Sequence, residues 1–128
     1  MPKEFTQYIN TDSYVGGQVL IQTRVVIGEN IRINSCRAKI AKLSIINGST
    51  FEIECDWIAV KKGNRFHFDP KADLVITVEV GWIEISRDYT MIINYSEDDL
   101  RQTYKFMEPG HYNCISAEKV IGLDVLKQ

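Results

Sequence analysis

From Leu74 to Ile85 the chain reads LVITVEVGWIEI, with Leu74, Ile76, Val78, Val80 and Trp82 at every second position. That is the period of a pleated strand, whose side chains point alternately to its two faces. Past Gly81 the apolar set changes parity, to Ile83 and Ile85. As one straight strand this stretch would run about 40 Å, longer than strands usually are. The spacing therefore predicts a kink at Gly81 that passes the strand from one sheet to another, or round a barrel corner.

The same alternation recurs upstream. Val19, Ile21, Val25 and Ile27 share one face and Gln18, Gln22 and Arg24 the other, as in a strand with one wet side. Gly28-Glu29-Asn30 turns the chain, and Ile31 and Ile33 against Arg32 and Asn34 begin the next strand. Residues 37–46 fit a helix through Ile40 and Leu43, or a strand through Ala41, Leu43 and Ile45. The Asn47-Gly48 that follows favours the strand, because that dipeptide takes the positive φ angles of a type I′ hairpin turn. Residues 41–46 are thus expected to pair with 50–60. There Phe51, Ile53, Cys55, Trp57 and Ala59 alternate with Glu52, Glu54 and Asp56 until Ile58 and Val60 make both faces apolar, implying cover on both sides. After the turn Lys61–Asn64, Arg65, His67 and Asp69 face opposite to Phe66 and Phe68, and Pro70 ends the strand because it has no N–H for a ladder.

Downstream, Arg87-Asp88 turns into a strand with Tyr89, Met91, Ile93 and Tyr95 on one face. Ser96-Glu97-Asp98-Asp99 resembles a helix start, and Leu100, Tyr104 and Met107 have helical spacing. Leu100, Tyr104 and Phe106 also share a strand parity, and Pro109-Gly110 reads as a tight turn. Strand is the reading here, with one short helix near 97–107 as the alternative. Further strands are expected at Tyr112–Ser116 and Val120–Leu126. Residues 1–17 lack periodicity and read as an N-terminal arm or loop, with a short strand near Tyr8; Phe5, Tyr8 and Tyr14 would dock it on the body or on a neighbouring subunit. The expectation is a single all-β domain over 1–128, an antiparallel sandwich or partly closed barrel of roughly eight or nine strands.

Composition narrows the class. At 128 residues, with 45% hydrophobic and 25% charged, the chain can bury a core without metal or disulfide staples. No apolar run is long enough to span a bilayer and no secretory h-region is visible, which points to the cytoplasm. The net charge of −2 is unevenly spread: residues 1–65 carry nine Lys/Arg against six Asp/Glu, and 66–128 carry six against eleven. A basic sub-stretch with Arg24, Arg32, Arg37, Lys39 and Lys42 falls short of the strongly basic balance of a nucleic-acid domain. It suits instead a solvated face, or head-to-tail contact between copies. Cys36, Cys55 and Cys114 are odd in number and widely spaced, so they read as small buried residues rather than disulfide or metal ligands.

Chemistry-bearing motifs are few. The sequence has no Gly-rich phosphate loop, HExxH, GxSxG or EF-hand loop, so no cofactor and no metal are expected. The acidic row Glu52, Glu54, Asp56 is too open for a closed oxygen cage by itself. Arg65, His67 and Asp69 lie two apart on one strand face, where a general base oriented by a carboxylate could form; they are the candidate binding face. Glu108–Cys114 resembles the tyrosine corner of immunoglobulin domains, with Tyr112 two residues before Cys114. Cys36, the partner this implies, has the wrong parity relative to Ile31 and Ile33, so no family is assigned. These features favour a non-catalytic binding or assembly module acting through protein–protein contacts, with another protein or with itself. The alternatives are a barrel carrying a small apolar ligand, or a small enzyme working from the His67/Asp69 face.

Overall fold

A computed structural model describes residues 10–85, 90–97 and 100–109. Its strands are β1 (Gln18–Ile27), β2 (Asn30–Asn47), β3 (Thr50–Lys62), β4 (Arg65–Phe68), β5 (Val75–Glu79), β6 (Trp82–Ile85), β7 (Met91–Glu97) and β8 (Leu100–Met107). They make one antiparallel sheet in the order β4-β3-β2-β1-β8-β7-β6, with β5 also on β3. The fold is all-β, a sandwich or partly open barrel whose ladder does not close. Its ends are joined by the stretch around Gly81. β5 pairs with the first part of β3, from Thr50↔Glu79 to Glu54↔Val75, and Val80 N–H still donates to Ser49 O at 2.7 Å. Two residues later Trp82 lies opposite Asn94 on β7. The kink is therefore where the alternation placed it. A Cβ on Gly81 would run into the carbonyl oxygen of Asn94, which is why only glycine fits the crossing.

β2 is one strand of 18 residues that runs through 37–46, the stretch whose spacing fits helix or strand. What breaks is the pairing. Ile40↔Cys55 is flanked by Lys39↔Trp57 and Lys42↔Glu54, so Asp56 and Ala41 each lack a counterpart. Each such bulge reverses the parity that faces inward. On β3 the core residues Phe51, Ile53 and Cys55 give way to Ile58, and on β2 Ala38 and Ile40 give way to Leu43. Ile58 and the adjacent Ala59 are both buried, so this end of β3 is covered on both faces as expected. Gly28 and Gly63 supply positive φ in the turns beside them. The hairpin at Asn47 forms with a different corner: Asn47 pairs with Thr50, and its Oδ1 accepts from Ser49 N–H at 2.9 Å. The pair Asn47↔Thr50 leaves Gly48 and Ser49 as the two corner residues, so Asn47-Gly48 does not make the expected type I′ corner.

Residues 100–107 are strand. β8 pairs with β1 on one side and β7 on the other, which satisfies its backbone groups across the sheet and corrects the helical alternative. Phe51, Phe106, Ile40, Ile53, Met91, Ile93, Val19 and Val78 fill the core, with the Phe51 and Phe106 rings 5.5 Å apart. The described part of the N-terminal segment docks on the body. Tyr14, at the end of a 3₁₀ turn (Thr11–Tyr14), meets Phe106 edge-on at 6.2 Å. Gly16 N–H donates to Ile40 O, and Ile40 N–H to Gly17 O. Phe5, Tyr8, the turn at Arg87-Asp88, Tyr89, Cys114 and the strands expected at 112–116 and 120–126 lie outside the described residues. Among those described, no helix is long and apolar enough to cross a membrane.

Candidate interaction surface

The β1–β2 hairpin outruns the strand beside it. β2 pairs with β1 from Asn30 onward, but its ladder with β3 begins only at Cys36↔Val60. Among the described residues, nothing pairs with residues 30–35 on that second edge. Ile27 and Asn30 flank a two-residue turn. Such flanking residues bond each other, so every second residue from Asn30 turns its backbone groups to β1. The N–H and C=O groups of Ile31, Ile33 and Ser35 thus face the free edge. The tip is also apolar on both faces. Ile27 is 57% exposed, Ile31 56% and Ile33 61%, where a wet strand face would carry polar residues. An open groove of about 490 Å³ runs between this edge and the β3–β4 turn, lined by Gln22, Ile33, Asn34, Ser35, Lys61 and Gly63.

Positive charge surrounds it. Arg24 lies opposite Ile33 on one side and opposite Arg101 on the other, a like-charged cross-strand pair that costs rather than stabilises. Arg32 is exposed on the strand's other face. Lys61 lines the groove, and Lys62 pairs with Arg65 across the next turn.

The face proposed from sequence is partly assembled. Arg65 and His67 are exposed on β4, which pairs with β3 through His67↔Val60. Asp69 lies beyond the strand end and serves the turn. Its N–H donates to Ile58 O at 2.9 Å, and its Oδ1 accepts from Lys71 N–H at 3.0 Å. A carboxylate holding a backbone turn is fixed by that turn, not by the imidazole. Sequence reasoning missed the tip itself. The signal was there: Val25-Val26-Ile27 is apolar at consecutive positions, and Val26 meets Ile31 across the hairpin, so one face or the other had to be left exposed.

A second open groove, of about 240 Å³, is lined by Thr77, Glu79, Tyr95, Gln102 and Tyr104. The Tyr104 hydroxyl donates to Gln102 Oε1 at 2.8 Å, and Gln102 Nε2 donates to Thr23 Oγ1 at 3.4 Å, so these two side chains of the lining are already engaged. In the acidic row, Glu54 sits 3.9 Å from Lys42, an exposed pair worth at most about 1 kcal/mol. Cys36 and Cys55 are free thiols. Burial pushes Cys36 up to about 11. Burial, with smaller contributions from Cys36 and Asp56, pushes Cys55 up to about 12. Neither holds a thiolate at neutral pH, so neither is a ready nucleophile. Comparison with protein-family models, with curated proteins and with solved structures found no match.

Proposed function

We propose that this domain is a non-catalytic binding module that works through protein–protein contacts made at the β1–β2 tip. The observation that carries this reading is the exposure of Ile27, Ile31 and Ile33 together at the tip of one hairpin. Contiguous apolar surface rimmed by charge marks an interaction site more often than a solvated face. Beside it, the edge that no described strand pairs with offers a template of backbone groups.

The test compares the wild-type chain with the double variant Ile31→Ser, Ile33→Ser. Both are used as bait in an extract of the cells the chain comes from, and both are sized by light scattering over a wide concentration range. The wild type retains a protein that the variant loses, or gains mass with concentration where the variant stays monomeric. If the two chains behave alike in both measurements, the reading fails.

A further inference from the structure

Resting on the reading of the tip as a protein-binding site, we propose that the free edge of β2 takes up an extended segment of an acidic partner, in which apolar and acidic side chains alternate. The backbone at Ile31, Ile33 and Ser35 faces outward beside the groove, with no described strand on that side. An added strand bonds to those groups as in strand augmentation. The pleat then dictates its sequence. Side chains of neighbouring strands lie beside one another on the same face. Positions beside Ile31 and Ile33 are therefore apolar, and the positions between them fall on the face of Arg32. A carboxylate there meets Arg32, while Arg24, opposite Ile33 on β1, and Lys61, in the groove lining, add positive charge around the edge. Glu29, in the turn, is the acidic residue of the hairpin itself. A single-stranded nucleic acid fits less well, because the groove lining includes no aromatic side chain for base stacking.

The probe is a labelled octapeptide of alternating Val and Glu, titrated with the full chain and followed by fluorescence anisotropy. Saturable binding that weakens with added salt is expected; the matching Val/Lys peptide stays free. Ile33→Pro removes an amide facing the free edge while leaving the ladder with β1 intact, and abolishes binding. Arg32→Glu weakens it by about tenfold or more. Urea midpoints establish that each variant is folded, and if Ile33→Pro is not, Arg32→Glu carries the test alone. The proposal is overturned by absence of binding, by equal binding of the Val/Lys peptide, by unchanged affinity in the folded variants, or by a short single-stranded oligonucleotide displacing the peptide. If the peptide stays free while the Ile31→Ser, Ile33→Ser variant still loses a partner, only this inference falls. If both are silent, the binding reading falls with it.

Discussion

Gly81 and Gly28 are both required by geometry, but for different reasons. Gly81 leaves no room for a Cβ against the Asn94 carbonyl. Gly28 has open space around it and a φ of +60°, so substitution there costs only the left-handed backbone, about 1 kcal/mol. Gly81→Ala should cost more, about 3 kcal/mol, since backbone on both sides must move. Urea midpoints of the two variants separate the cases, and equal losses would mean that the crossing is not as tight as described. The same measurement distinguishes core from tip. Phe106 is fully buried against Phe51 and Tyr14, so Phe106→Ala should lose about 4 kcal/mol. Ile33→Ala should change stability by no more than about 0.5 kcal/mol, because most of that side chain is already in water.

β3 keeps two apolar faces in use by inserting one residue. Asp56 has no counterpart on β2, and it lets Cys55 and Ile58 both be buried. Inserting one alanine after Asp56 shifts Trp57 and everything after it by one, which turns Ile58 outward and Ala59 inward, or forces the β3–β4 hairpin to slip against β2. The insertion variant is expected to lose cooperative unfolding in urea, whereas Asp56→Ala, which keeps the register, should unfold cooperatively near the wild-type midpoint. This bulge also marks where sequence reading ran out. Alternation identified β1, β3, β4, the kinked pair β5–β6 and β7, because each carries its own period and its own glycine or proline punctuation. It did not reveal that β2 is continuous, since the break at Lys39–Lys42 belongs to pairing with β3 and leaves only ambiguous periodicity in β2 itself. Nor could local pattern alone decide residues 100–107. Helical and strand spacings coexist there, and the partner that settles the matter is β1, with Gln102 bonding Thr23 from 79 residues away.

The candidate surface was less legible than the fold, because exposure at Ile31 and Ile33 depends on where another strand stops. β3 meets β2 only as far as Val60, and no window around Ile31 carries that information. Arg65 and His67 are both exposed on β4, and the engagement of Asp69 with its own turn appears only in three dimensions. The assembled interior has a further consequence, in its response to base. Burial raises Tyr14 from 10.0 to about 12, with Glu108 adding to the effect. It raises Cys36 to about 11 and Cys55 to about 12 from an ordinary 9.0. Tyr104 moves the same way, through burial first and Cys36 second. In each case the neutral form is the one the native state favours. The unfolded chain therefore gives up these protons first as pH rises, and it binds fewer of them than the native state does. Stability is fully present below the unfolded values and falls with increasing pH above about 9, until the native groups ionise in turn. Urea midpoints should be level from pH 7 to 8, decline by pH 10 and decline further by pH 11. Thiols ionise before phenols in the unfolded chain, so a Cys36→Ala, Cys55→Ala variant should lose most of the decline between pH 9 and 10 and keep the later part. A midpoint that held steady to pH 11 would mean that these four groups are in contact with water.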